Sequence, residues 1–581
     1  MLLIEAGLTV LVVLIAFLRP TFGSHWFERA ERALPFLASR PRLAVVAVGA
    51  ATLILRVAVL PVEKIPAPSV HDEFSYLLQA DTFAHGRLTN PTPAMWEHFE
   101  TFHVIFQPTY CSKFFPGQAL FLTLGKLLFG HPYWGVWLSS GLMCAAVTWM
   151  LQGWFPAQWA LLGGILALLR FGVFGYWADS YWGGNVAAIG GALVLGALPR
   201  LKSFRLTQDA ALMGLGLILL ALSRPWEGIV LALPTAVILL AWMMGKDKPP
   251  PGISLTRIVL PLTLMLAVTA AWLAYYCWRT TGNPLQPPYS VYENTYATAP
   301  YMLWQHLKPQ PVYRHTVLRK LEVDQVLVVY RAFRSPVAHM LRIFAFTSFF
   351  LGPILILPFL MLPFVLPYGF SLRDISQHVR HLLLILIVFI AGTEMAIFYN
   401  PHYSAPVTGL IIALVLFAIQ RIRAWNASGL FLSRAIPVAC VLVFALRVAA
   451  APLHIPKSRY STYYWNEFFE LHPQGWFPRA AMEANLSKVP GNHLVIVRYK
   501  PEHEPFPDWV YNDADIEHAR IIWARDMGSA DNKALLDYYG DRQAWLLEAD
   551  ENPPRIVRYA SSESGAAQPE SLERSGLPTH K

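Results

Sequence analysis

Uncharged apolar runs, separated by short polar segments, recur along the chain from the N-terminus to about residue 452. Each is close to the ~20 residues that a helix needs to cross a hydrocarbon core of ~30 Å. The pattern predicts about twelve spans, near residues 2–18, 43–61, 135–152, 159–175, 184–199, 208–222, 228–244, 258–277, 341–366, 382–399, 404–420 and 435–452. Two long intervals break the rhythm, 62–134 and 279–340. In the first, residues 70–85 read as a helix lying on the membrane, with Phe74, Leu77, Leu78 and Ala84 on one face and Gly86 at the C-terminal cap position. A second surface helix follows Pro116-Gly117 through GQALFLTLGKLLFG. The interval 279–340 is rich in Tyr and Pro and carries Trp304.

Beyond residue 452 the period changes. NHLVIVRY, ARIIWARD and QAWLLEAD read as strands, and PRAAMEANLSKV and NKALLDYY as helices. This predicts a membrane-embedded module over 1–456, a small α/β domain over 457–560 and a disordered polar tail over 561–581.

Composition settles the class. A soluble chain of 581 residues would suggest several domains, but 55% of the residues are hydrophobic and 14% charged, with a mean hydropathy of +0.39. The fold class is an α-helical polytopic membrane protein with a small C-terminal extracytoplasmic α/β domain. A net charge of +9 raises the question of nucleic acid. The basic residues, however, gather in short loops at 19–42, 200–207, 245–257, 367–381 and 421–434, which alternate as cytoplasmic loops should. They form no basic arm or stripe, so membrane lipid is the expected partner and nucleic acid is not. The N-terminus and everything after 452 then lie outside the inner membrane of the cell. The first run lacks a basic leader and a small-residue cleavage site, and reads as a retained span. Cys111, Cys144, Cys277 and Cys440 show no metal or redox spacing, and the last three fall in predicted spans. No disulfide framework is expected.

Four clusters carry candidate chemistry. SVHDEF places Asp72 and Glu73 side by side just after a span. Ser69 and Asp72 alone would complete a capping box, which needs one acid. A carboxylate pair beside a membrane suits proton abstraction or the holding of a cation. In FGYWADSYWGGN, Asp179 is flanked by Tyr176, Trp177, Tyr181 and Trp182, either an interfacial aromatic belt or a platform for sugar rings. In SRPWEG, Arg224 and Glu227 pair with each other or bind phosphate, which suits a guanidinium fork. In FYNPHYSAP, His402 and Tyr403 occupy the next external corner, to bind a head group or metal or simply to pack. Glu394, earlier in that span, needs a partner. In the C-terminal domain YNDADIEH groups Asp513, Asp515, Glu517 and His518, more simply a solvated turn than a cation site.

All four membrane-side clusters reach one face in this topology. In that order of membrane span, acid and surface helix, the chain resembles the integral-membrane glycosyltransferases of the GT-C superfamily, above all the protein-mannosyltransferase and aminoarabinose-transferase groups. The resemblance covers roughly residues 40–450. It departs in an extra leading span and in the C-terminal domain. It implies an inverting enzyme that takes sugar from a polyprenyl-phosphate donor and gives it to a hydroxyl of a protein, lipid or glycan acceptor. It implies Asp72 as base, Glu73 or Asp179 orienting the acceptor or a divalent cation, and Arg224 on the leaving phosphate. The superfamily has members with and without a metal, and these acids do not choose between them. The alternative is a polytopic transporter of a lipid-linked or small polar substrate. Against it, the acids lie in a loop rather than at the bilayer midplane, and no paired broken helices are evident.

Overall fold

The computed structural model describes residues 2–204, 206–246, 248–367, 374–450, 452–453 and 477–559. The predicted tail at 561–581 lies outside them. Each of the twelve predicted spans is helical, and the protein is a multi-pass membrane protein. Among the described residues, seven helices are long and apolar enough to cross a membrane, or eight if one bent pair counts as a single span. Leu2–Leu18, Ala157–Gly172, Thr207–Ser223 and Gln377–Thr393 are apolar but shorter. Length and composition alone thus qualify seven or eight crossings, and the remaining predicted spans coincide with these shorter apolar helices.

The expected single span at 341–366 is two helices, Pro336–Phe350 and Gly352–Val365, bent by 106°. Gly352 has φ +57°, which other residues adopt at a cost, and the proline after it brings no N–H to continue the ladder. The carbonyls freed at the break find a buried donor. Arg170 Nη2 donates to Ser348 O at 2.8 Å and Nε to Phe349 O at 3.2 Å. Arg170 also pairs with Glu5 of the Leu2–Leu18 helix at 3.2 Å, tying the leading helix into the bundle. Glu394 finds two partners, His339 Nδ1 at 2.5 Å and Arg342 Nη1 at 3.4 Å.

The predicted helix at 70–85 forms as His71–Ala84, but it does not lie with one apolar face on a bilayer. His71, Glu73, Ser75, Tyr76, Leu78, Gln79, Ala80 and Thr82 are all buried, which covers most of its circumference. The reason is that the C-terminal domain packs on its outer side. Phe74 stacks on Tyr511 with ring centroids 4.0 Å apart, and Asp81 accepts from Ala514 N at 2.9 Å and Lys126 Nζ at 2.5 Å. A short antiparallel ladder follows, β1 (Val104–Ile105) against β2 (Cys111–Ser112). The Gly117–Phe129 helix does leave Leu120, Leu124, Leu127, Leu128 and Phe129 exposed on its outer row, as an interfacial helix should.

The C-terminal domain contains the three predicted strands as β3 (His493–Arg498), β4 (Ile521–Arg525) and β5 (Gln543–Glu548). They are joined by β6 (Arg555–Arg558), whose four residues carry too little alternation to be read in advance. The order is β4-β3-β5-β6, parallel except for the β5–β6 pair. Residues 494–497 of the central strand are fully buried, as a two-sided parallel strand requires. The two predicted helices are Phe477–Leu486 and Ser529–Tyr538. All four cysteines are free thiols.

Candidate active site

A cavity of about 820 Å³ opens where the first loop, the 279–340 interval and the membrane helices meet. Its lining mixes two chemistries: Asp72, His103, Lys113, Arg224, Glu293 and Glu322 are ionisable, whereas Val326, Val329, Ala332, Leu341 and Phe344 are apolar. The apolar residues come from the Val326–Ala332 and Pro336–Phe350 helices, the second being the proximal half of the bent pair.

Asp72 stands in the first turn of the His71–Ala84 helix and lines the cavity. Its Oδ2 lies 3.6 Å from His103 Nε2. Burial pushes its carboxyl above the ordinary range, while Lys113, Arg224 and the Trp182 indole pull the other way. Burial also keeps His103 neutral, well below the ordinary histidine range. Lys113 is buried among aromatic rings, 4.2 Å from the Tyr292 centroid and 4.9 Å from that of Tyr289, with Glu293 Oε1 at 3.7 Å. Tyr292 donates to Glu322 Oε1 at 3.0 Å. Burial and then the charge of Glu293 push Glu322 up to about 7.

Arg224 lies over the Tyr403 ring at 4.4 Å. Among the described residues no carboxylate comes within ion-pair distance of it, so the Arg224–Glu227 pair, one of the two readings of SRPWEG, does not form. Both Arg224 and Glu227 line the cavity instead. Tyr403 is held there by a close approach of backbone. A Cβ on Gly191 would meet Pro406 O at 1.8 Å, so only glycine lets the Asn185–Phe204 helix touch the Pro401–Val407 turn.

The structure separates the remaining candidates. Glu73, not Asp72, closes the capping box: its Oε2 accepts from Ser69 N at 2.8 Å, Ser69 Oγ at 3.1 Å and Val70 N at 3.2 Å. Its Oε1 accepts from Tyr181 N at 2.8 Å, binding the helix start to the Tyr176–Trp182 loop. Asp179 is hydrogen-bonded to Arg56, which is fully buried in the Pro41–Val59 helix. Neither acid lines the cavity. Tyr181 donates to Pro66 O at 2.9 Å, away from it. Trp182 does line the cavity, whereas His402 is clamped by Tyr176, Nδ1 to Oη at 2.7 Å and backbone N to Oη at 2.9 Å.

Asp72 thus lines the cavity while Glu73 and Asp179 do not. Among the described residues no three His, Cys, Asp or Glu groups are set to hold a metal. In YNDADIEH, His518 Nδ1 meets Asp515 Oδ1 at 3.0 Å, both exposed, as in a solvated turn. Sequence reading missed Lys113, His103, Glu293 and Glu322. The one available signal was a lone lysine inside the otherwise uncharged stretch CSKFFPGQ.

No family model and no curated protein matches the chain. Among solved structures it is similar to ArnT from Cupriavidus metallidurans bound to undecaprenyl phosphate, at 15% identity and a TM-score of 0.48, over 87% of this chain and 92% of that one. It is also similar to the Archaeoglobus fulgidus oligosaccharyltransferase in complex with Zn and sulfate, at 12% identity and a TM-score of 0.41, over 87% of this chain and 67% of that one.

Proposed function

We propose that the protein is an inverting integral-membrane glycosyltransferase of the GT-C type, moving a sugar from a polyprenyl-phosphate donor to an acceptor hydroxyl at the extracytoplasmic face. The observation that carries this reading is the cavity itself, whose lining brings Asp72, Lys113 and Arg224 together with Glu227, Glu293 and Glu322 and with a set of apolar side chains. A prenyl chain fits against Val326, Val329, Ala332, Leu341 and Phe344. Its phosphate then meets Arg224 and Lys113.

In this reading Asp72 takes the proton of the acceptor hydroxyl as the hydroxyl oxygen attacks the anomeric carbon. The bond from that carbon to the phosphate oxygen breaks, and the phosphate leaves with the electron pair. A phosphate monoester is a weak enough base to depart unprotonated. It needs only the positive charge of Arg224 and Lys113 fixed beside it. Glu73 and Asp179 act through others: Glu73 fixes the helix turn that aims Asp72, and Asp179 holds Arg56. A donor of this kind and an acceptor protein, lipid or glycan are the partners the reading requires. A transporter is disfavoured because the first loop folds as a helix and a ladder around the cavity rather than as a gate. Among the described residues the bent helix pair also has no second, matching break.

The test is to reconstitute the protein with a panel of radiolabelled polyprenyl-phosphate sugars and compare wild type with Asp72→Asn. Consumption of a donor by wild type and its loss in the variant supports the assignment. A variant as active as wild type removes Asp72 from the base role.

A further inference from the structure

Asp72 shares one helical turn with three residues that other parts of the protein hold. At about 100° per residue, His71 and Phe74 lie about 60° apart on one side of the His71–Ala84 helix, Glu73 on a second side and Asp72 on a third. Glu73 is bound to the start of the helix and to the Tyr176–Trp182 loop. His71 and Phe74 are bound to the C-terminal domain, and both meet the same residue there, Tyr511. The Tyr511 hydroxyl is hydrogen-bonded to His71 Nδ1 at 2.5 Å, and its ring lies within 3° of parallel to that of Phe74, with centroids 4.0 Å apart. Phe506 of the same domain stacks on the His71 ring at 5.5 Å.

Tyr511 is itself fixed to the C-terminal sheet. Its carbonyl oxygen accepts from Arg479 Nη2 at 2.9 Å, and Nε of that guanidinium donates to Trp509 O at 3.0 Å. The next residue, Asn512, exchanges two hydrogen bonds with the Trp523 backbone of β4, each of 2.8 Å. Ala514 N donates to Asp81 Oδ2 at 2.9 Å, so this one segment meets the helix near both of its ends. A buried ion pair anchors the same segment to the first membrane loop. Asp508 meets Arg525 Nη2 at 2.7 Å and accepts from the Thr101 hydroxyl at 3.0 Å, while Arg525 Nε donates to Glu100 O at 2.6 Å. The first turn of the helix is thus set from outside by groups that are themselves held.

We propose that the C-terminal domain braces the helical turn that carries Asp72, with Tyr511 as the positioning residue. A base must reach the acceptor hydroxyl in a narrow geometry, and a displacement of about 1 Å costs about 100-fold in rate. Tyr511 touches no substrate in this account and acts through His71 and Phe74. The catalytic consequence rests on the glycosyl-transfer reading, whereas the brace itself does not.

The experiment has two arms on the full chain in lipid nanodiscs. In the first, hydrogen exchange is followed at the Glu73 and Phe74 amides, which both bond to Val70 O. Tyr511→Leu, which removes the hydroxyl and the stack, is expected to speed their exchange about tenfold or more while the membrane helices keep their wild-type rates. Unchanged exchange at these amides overturns the brace. In the second arm the probe is whichever radiolabelled polyprenyl-phosphate sugar wild type consumes, with a total membrane extract as the source of acceptor. Tyr511→Leu is expected to cut turnover about 100-fold while binding of the donor, read by tryptophan fluorescence, stays within about twofold. Tyr511→Phe keeps the stack and loses only the bond to His71, and is expected to lose about fivefold. In a double-mutant cycle, Phe74→Ala combined with Tyr511→Leu should cost little more than either change alone, because both break the same contact. Wild-type turnover in Tyr511→Leu, or loss of donor binding in parallel with turnover, overturns the assignment. If Tyr511→Leu does not fold, Tyr511→Phe decides, and wild-type turnover in it overturns the assignment. If wild type consumes no donor, the transfer reading has failed, and the exchange arm decides the brace by itself.

Discussion

Asp72 and Glu73 are neighbours in the chain, about 100° apart around one helical turn, and the fold puts them to opposite uses. Asp72 borders the cavity with its oxygen 3.6 Å from His103, under the opposed influence of burial and two cations. Glu73 points inward, accepts four hydrogen bonds and holds the Tyr176–Trp182 loop in place. Asp179, in that loop, is likewise occupied, by Arg56. Acids of one chemical type within one small region thus divide into a single group that lines the cavity and two engaged by protein. What separates them is the supply of donors: a carboxylate whose lone pairs are already filled has little left to offer a substrate.

The contrast is broken most directly at Asp72. Asp72→Asn keeps the shape and removes the base, and kcat is expected to fall about 10³-fold with donor binding retained. The saturated acids should fail in stability instead. Asp179→Ala leaves Arg56 charged and buried, and denaturation in detergent should show a loss of about 2–4 kcal/mol; that estimate sits at or below the range for fully buried pairs because Asp179 is 26% exposed. Glu73→Gln turns an amide NH₂ toward N–H donors, at about 1–3 kcal/mol. In both variants the activity per folded molecule should change by less than about tenfold. The reverse outcome, a stable but inactive Asp179 variant, would return that acid to the chemistry.

The smallest effect is the most discriminating. The base form of Asp72 is the carboxylate, so activity is lost as pH falls through its pKa. Because burial raises that pKa, the acid limb of the rate profile lies above the ~4 of an ordinary aspartate. Lys113 lowers it, so Lys113→Met should move the limb to higher pH. A limb that does not move separates the limb from Asp72.

Much of this was readable in the chain. Apolar runs of membrane length gave the helices, Gly86 with its φ of +70° fell at the expected end of a helix, and short apolar runs gave three of the four strands of the C-terminal sheet. Asp72, Arg224, Glu227, Tyr403 and Trp182 were singled out by local oddity, such as charge next to an apolar run, and all five line one cavity. Glu73, Asp179, Tyr181 and His402 showed the same oddity but are engaged by protein partners, all four across distances in sequence of about a hundred residues or more. Lys113 meets Glu293 and Glu322 from 180 residues and more away in the chain, and no local pattern marks such a meeting.

The sequence by itself determined the class of molecule, because hydropathy and helix length are properties of single segments and the bilayer acts on each in turn. It also placed charge where a membrane protein seldom tolerates it without cause. Only the tertiary structure decided which charges face a ligand. That choice depends on which donors and acceptors from distant segments reach each group first. A lone pair filled by Ser69, Val70 or Tyr181 cannot also be filled by a substrate, and the lone pair that the fold leaves empty is the one available to act.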